Sequence, residues 1–139
     1  MGKIFYIMGK SASGKDRIYS SLIKKSELAL KRLVLYTTRP IRSGEENGRE
    51  YFFVTDSEFF EMEKKGCIIE KREYLTVEGI WRYFTADDGQ INLQESDYLG
   101  IGTLESYIKL KGHFGEERVC PVYVEVEDGE RLLRAIGRE

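Results

Sequence analysis

The apolar positions of this chain fall into short blocks separated by polar ones. Ile4-Phe5-Tyr6-Ile7-Met8 is an unbroken run, the pattern of a strand buried on both faces. Ile18, Leu22 and Ile23 then recur at helical spacing and predict a helix from about Asp16 to Lys25, with these three as its inner stripe. Leu33-Val34-Leu35-Tyr36 predicts a second strand, and the three together make one right-handed βαβ unit. A long polar stretch, 37–51, follows before Tyr51-Phe52-Phe53-Val54 restores order. Thr55-Asp56-Ser57-Glu58 has the capping-box pattern and opens a helix to Lys65, which Gly66 ends. Cys67 to Tyr74 reads as a strand and 75–85 as its hairpin return; Asp87-Asp88-Gly89-Gln90 is a turn. Tyr98-Leu99-Gly100-Ile101 reads as a core strand. Thr103 is placed to cap a helix through about Phe114, with Leu104, Tyr107, Ile108 and Lys111 at helical spacing. Val119 to Val126 is a further strand, and a last helix begins at Glu130. Strands alternating with helices predict an α/β fold on a parallel sheet.

Composition narrows the possibilities. With 139 residues, 41% of them hydrophobic, the chain suits one domain with a packed core. Twenty-two basic residues against 24 acidic leave a net charge of −2. That balance argues against a nucleic-acid polymer as partner, which calls for a basic face. No apolar run approaches the ~20 residues of a membrane span, and Met1-Gly2-Lys3 leads straight into the first strand without a signal peptide. The expectation is a cytoplasmic protein, monomeric or homodimeric. Cys67 and Cys120 lie in apolar surroundings and read as buried thiols; His113, without a partner at ligand spacing, reads as a helix-surface or cap residue.

Two stretches carry chemistry. Gly9-Lys10-Ser11-Ala12-Ser13-Gly14-Lys15 joins the first strand to the first helix with the Gly-x4-Gly-Lys spacing of a phosphate-binding loop. The glycines let the backbone turn its N–H groups inward, the helix start adds partial positive charge, and Lys15 adds a full one. Asp16 stands where a Ser or Thr is usual. It is either a hard oxygen ligand for Mg²⁺ or a first-turn acid favoured by the helix dipole. The second stretch is 37–51. Arg39 and Arg42 present planar forks suited to phosphate; the other reading is a solvated loop of surface ion pairs.

Thr37-Thr38-Arg39-Pro40-x-Arg42-x-Gly44-Glu45-x-Asn47-Gly48-x-x-Tyr51-x-Phe53, at its distance from the loop, resembles the guanylate kinase family. The resemblance covers 1 to about 85 well and the remainder loosely. It implies that Gly9 to Lys15, with Lys10, Ser11, Ala12, Ser13 and Gly14 between, hold the phosphates of ATP. It implies that Arg39, Arg42 and Tyr51 hold the phosphate of GMP while Glu45 orients the arginines. Glu70 falls where the family's guanine-reading acid sits. A carboxylate accepts both adjacent donors of guanine, N1–H and the 2-amino group, and adenine offers no such pair. Tyr83 and Thr85 resemble the family's Tyr-Gly-Ser/Thr, with Phe84 in place of glycine. Arg134 and Arg138, i and i+4 on the last helix, resemble the lid arginines that close on the transferred phosphate. Singly each has a plainer reading: Glu70 as a solvent-facing strand residue, Tyr83 as a hairpin aromatic, Arg134 and Arg138 as last-turn cations.

The chain also departs from the family. Asp16-Arg17 follows the loop lysine, and the strand Leu99-Gly100-Ile101-Gly102-Thr103 lacks the expected acid. The chain stops before the full lid and final helix, which implies a truncated or reduced form. The expected architecture is a three-layer P-loop fold. Its core would be 1–36 and 86–126, a small mixed α/β insertion at 37–85 would bind the nucleoside monophosphate, and a lid would start in 127–139. The expected activity is transfer of the γ-phosphate of ATP, with Mg²⁺, to GMP. Two alternatives stand beside it: a binding module that has lost catalysis, against which the intact loop argues, and a kinase of another small phosphorylated acceptor, against which Glu70 argues.

Overall fold

In the computed structural model, residues 2–10 and 12–136 are described, without the side chains of Arg131, Arg134 and Ala135. The chain divides into two compact units, one of residues 1–33 with 92–139 and one of residues 34–91.

The first unit is built on a parallel sheet. Strand β1 (Ile4–Gly9) runs between β7 (Asp97–Ile101) and β8 (Val119–Val124), and β2 (Leu30–Arg32) pairs with the outer side of β7. All three pairings are parallel, so the connections are crossovers; helices supply those from β1 to β2 and from β7 to β8, and residues 34–91 lie between β2 and β7 in the chain. Helix α1 (Lys15–Ile23) packs on β1, β2 and β7, and α3 (Leu104–Phe114) packs on β8. Central position explains the unbroken apolar β1: Ile4, Tyr6 and Ile7 are completely buried. Helix α4 (Asp128–Ile136) follows β8.

Tyr6 ties this unit together. Its hydroxyl pairs with Ser106 Oγ at 2.7 Å, 100 residues away. Ser106 is also the third residue of the α3 capping box: Ser106 N donates to Thr103 Oγ1 at 3.2 Å and Thr103 N donates to Ser106 Oγ at 3.0 Å. The buried phenol is thereby satisfied by the group that starts α3. Space for it comes from Gly102, where any Cβ would overlap the Tyr6 hydroxyl.

The second unit is a four-stranded mixed sheet in the order β4 (Phe52–Phe53), β3 (Tyr36–Thr37), β6 (Gly79–Ala86), β5 (Ile68–Thr76), with helix α2 (Asp56–Lys64) beside it. Thr55 caps α2 with the expected box: Glu58 N donates to Thr55 Oγ1 at 3.1 Å, and Thr55 N donates to Glu58 Oε1 at 3.0 Å. Tyr36, Phe59 and Phe84 form the core, with ring centroids of Phe84 5.1 Å from Tyr36 and 5.0 Å from Phe59. In the β5–β6 hairpin Glu70, Arg72 and Tyr74 stand opposite Thr85, Tyr83 and Trp81. Alternation puts these six side chains on one face, while Lys71, Phe84 and Arg82 take the other, against α2.

Four expectations need correction. Leu33 to Tyr36 is not one strand. The chain passes from one sheet to the other there: Leu33 N donates to Leu99 O at 3.0 Å, the Gln90 amide takes both backbone groups of Val34, and Leu35 O accepts from Phe52 N at 2.8 Å. The run is apolar because each sheet buries part of it. On α3 the inner positions are Ser106 and Leu110, whereas Leu104 and Ile108 are exposed. The helical period is right, but the phase is set by the Tyr6–Ser106 bond. On α1, Ile18 is exposed and no residue is fully buried, so Leu22 and Ile23 are the half-buried side. Cys67 and Cys120 are free and half-buried rather than buried.

Gly102→Ala should destabilise the protein by about 1–3 kcal/mol in urea unfolding, because the added methyl displaces Tyr6. In a double-mutant cycle Tyr6→Phe should recover part of that loss; strictly additive effects would show that the two positions do not press on each other.

Candidate active site

The glycine-rich loop belongs to the first unit. β1 ends at Gly9 and α1 begins at Lys15, with Gly14 as N-cap at φ 90° and ψ 11°. That left-handed conformation favours glycine. Ser13 N donates to Lys10 O at 3.1 Å, and Ala12 also takes a positive φ of 63°. At Gly9 a Cβ would lie 2.6 Å from Ser13 Oγ and 2.9 Å from Val124 O, so the second glycine is required by close approach. Lys15 Nζ donates to Gly9 O at 3.0 Å, which holds the ammonium at the loop itself. Lys10 points outward, 3.9 Å from Asp128 Oδ1 with both groups exposed. Asp16 is exposed in the first turn of α1. Among the described residues no cluster of three or more His, Cys, Asp or Glu could enclose a metal ion. Ser11 and Arg138 lie outside the described residues, and Arg134 lies on α4 with its side chain not described.

The arginine cluster belongs to the second unit. Arg39 is buried, with 4% of its surface exposed. Its Nη1 and Nη2 donate to Glu45 Oε1 and Oε2, each at 2.9 Å, a bidentate pair. Its guanidinium carbon lies 5.4 Å from the Tyr51 ring centroid and 5.5 Å from that of Phe53, and its Nη1 also donates to Pro40 O at 3.0 Å. Glu45 reaches further: its Oε1 accepts from Arg42 N at 2.8 Å. Arg42 itself is exposed, with its guanidinium 5.9 Å from the Trp81 ring centroid. The threonines before Arg39 fasten this loop to β6. Thr37 Oγ1 donates to Arg82 O at 2.9 Å and accepts from Arg39 N at 3.1 Å, and Arg82 N donates to Thr38 Oγ1 at 3.0 Å.

Glu70 is buried on β5, and its Oε1 accepts from Thr85 Oγ1 at 2.7 Å. Tyr83 stands on the same hairpin face, 5.6 Å from Tyr51 between ring centroids. The structure therefore brings Arg39, Glu45, Tyr51 and Tyr83 into contact, seats Glu70 with Thr85 beside them, and holds Arg42 through Glu45. The solvent-facing reading of Glu70 and the solvated-loop reading of Arg39 do not fit these positions.

Sequence reasoning passed over Arg72, Tyr74 and Trp81. With Tyr51 and Tyr83 they line a cleft of about 430 Å³. The signal was present: Glu70, Arg72 and Tyr74 alternate, and once the hairpin turn is placed at 77–78, Trp81, Tyr83 and Thr85 must face them.

The parallel sheet with a glycine-rich loop between β1 and α1 defines a P-loop α/β fold. Residues 1–78 match the family model described as guanylate kinase. The chain belongs to the guanylate kinase family. It is 34% identical over 74 residues to guanylate kinase of Lactobacillus johnsonii, covering 53% of this chain and 36% of that protein. It is 38% identical over 69 residues to that of Thermotoga maritima (50% and 33%) and 40% over 73 residues to that of Malacoplasma penetrans (52% and 37%). The matched stretch thus spans about a third of each curated relative's length. The crystal structure of guanylate kinase from Anaplasma phagocytophilum superposes with a TM-score of 0.68 at 22% identity, over 98% of this chain and 67% of that one. That agreement establishes the fold.

The Arg39–Glu45 pair sets an acid-range prediction. Hydrogen bonds from Arg39 hold the Glu45 carboxyl down at about 2, against an ordinary value of 4.5. Between those values the unfolded chain binds a proton at this position and the folded chain does not, so stability rises with pH across that window. The contribution is complete above pH 4.5 and is lost as pH falls towards 2. Glu45→Gln should flatten this part of the curve in urea unfolding at successive pH values; an unchanged slope would show that the pair does not couple to folding.

Proposed function

We propose that this chain binds MgATP and GMP and transfers the γ-phosphate of ATP to GMP, giving GDP, in the cytoplasm. The observation that carries this reading is the pairing of two chemistries on one hairpin face. A buried carboxylate, Glu70, is set by Thr85, and an arginine–tyrosine cluster stands next to it through Tyr83. The carboxylate suits the two adjacent donors of guanine, and the cations suit a phosphate.

Phosphoryl transfer needs positioning and charge neutralisation more than covalent help. In this reading the loop from Gly9 to Lys15 takes the donor phosphates, with its inward N–H groups and the Lys15 ammonium opposite the negative charge. Arg42, exposed, with its backbone N–H on Glu45 and its guanidinium 5.9 Å from the Trp81 ring centroid, meets the acceptor phosphate in this reading. Arg39 is oriented by Glu45 and Pro40 O and backed by Tyr51, and in this reading its remaining N–H groups face the acceptor phosphate. Mg²⁺ arrives with ATP as part of the substrate, and Asp16, exposed in the first turn of α1, is the carboxylate nearest in sequence to the loop. Arg134 on α4 and Arg138 are assigned to the charge that develops on the transferring group.

Calorimetric titration tests the acceptor side. GMP should bind, AMP and ribose 5-phosphate much less. Glu70→Gln should weaken GMP by about 2–4 kcal/mol, since a carboxamide turns one acceptor into a donor facing a donor. Unchanged GMP affinity would remove Glu70 from the site. Arg42→Ala should weaken GMP by about 1.5–3 kcal/mol and leave ATP binding intact, while Lys15→Ala should do the reverse. GDP formation from MgATP and GMP tests the activity itself: a chain that binds both nucleotides without turnover is a binding module.

A further inference from the structure

Arg72 has no role in the acceptor reading given above, yet it occupies a distinctive position. It stands two residues from Glu70 on β5, on the same face, with Tyr83 opposite it in register. Among the five residues lining the 430 Å³ cleft it is the one formal charge; the others are Tyr51, Tyr74, Trp81 and Tyr83. Its Nε is buried without a hydrogen-bond partner and lies 3.5 Å from Glu70 Oε2. The ion pair is too long for a good hydrogen bond. The guanidinium is therefore held beside the carboxylate by charge and burial, and its donors are not spent on it.

We propose that Arg72 is a base-reading residue, donating to O6 of guanine while Glu70 accepts from N1–H and the 2-amino group. This rests on the GMP reading of the site. The argument is one of complementarity along an edge. Guanine presents one acceptor, O6, directly beside two donors. A carboxylate satisfies the donors alone, and O6 needs a donor of its own to replace its bond to water. A guanidinium next to the carboxylate supplies the missing half in the right order, as a fixed planar fork. Adenine places an amino group at that position, so the same cation meets a donor. Discrimination then comes from both ends of the edge. The aromatic side chains add stacking area for the base.

Titration of the full chain with three nucleotides separates the terms. GMP carries O6, N1–H and the 2-amino group; IMP lacks the 2-amino group; 2-aminopurine riboside 5′-monophosphate lacks O6 and N1–H. Arg72→Met should lower the preference for GMP over the 2-aminopurine nucleotide by roughly ten- to hundredfold, the loss of one hydrogen bond from a charged donor. The preference for GMP over IMP, which reports Glu70, should persist. Using ratios cancels any general loss of attraction for the phosphate. Arg72→Lys keeps the charge without the fork and should lower the first ratio in part; it carries the comparison should the Met variant not fold. An unchanged first ratio, with GMP still bound, would overturn the role of Arg72 and leave the GMP reading standing. Tighter binding of all three nucleotides to Arg72→Met would also overturn it, since Arg72 would then merely cover Glu70. A wild-type chain that does not bind GMP would overturn the acceptor reading and this inference together.

Discussion

A guanidinium cannot be buried without a partner, and the candidate acceptor site is organised by that constraint. Arg39 has almost no exposed surface, so its charge must be met inside the protein. Glu45 meets it with both oxygens and then uses one of them again on the backbone of Arg42. A single carboxylate thus sets the direction of one arginine and the backbone position of the next. Tyr51 and Phe53 supply aromatic faces for the remaining charge, and they come from β4 and the residue before it. The loop from Thr38 to Tyr51 is long and polar, yet its path follows from the requirements of one buried cation.

The phosphate loop is shaped by geometry where the arginine cluster is shaped by charge. The tight turn depends on Gly14 in a left-handed conformation and on Gly9 lying against Ser13 and Val124. Either contact would fail with a side chain present. Behind the loop the strand is fixed by its neighbours on both sides and by the Tyr6–Ser106 bond. The strand and its tight turn thus hold the loop in one shape.

Family membership and local chemistry agree on the first 78 residues and carry different weight beyond them. The family model stops within the hairpin turn. The hairpin face carries, besides Glu70 and Thr85, a cleft lined by Arg72, Tyr74 and Trp81 with Tyr51 and Tyr83. Specificity in such a site depends on which donors and acceptors line the cleft more than on the shared loop.

What the sequence determined by itself was local. The Gly-x4-Gly-Lys spacing, the capping box at Thr55, the cap at Thr103 and the apolar β1 are all read within ten residues, because each depends on backbone geometry or on a neighbour three or four positions away. The arginine motif, too, was legible from residue type and spacing. What only the tertiary structure decided depends on residues far apart in the chain. Leu33 to Tyr36 looks like one strand, yet the partners that divide it, Leu99, Gln90 and Phe52, lie 17 or more positions away. The phase of α3 was set by Tyr6, about a hundred residues earlier. The importance of Arg72 appeared only when pairing in the hairpin placed it beside Glu70 and across from Tyr83. Periodicity specifies which residues share a face; long-range pairing specifies what that face meets.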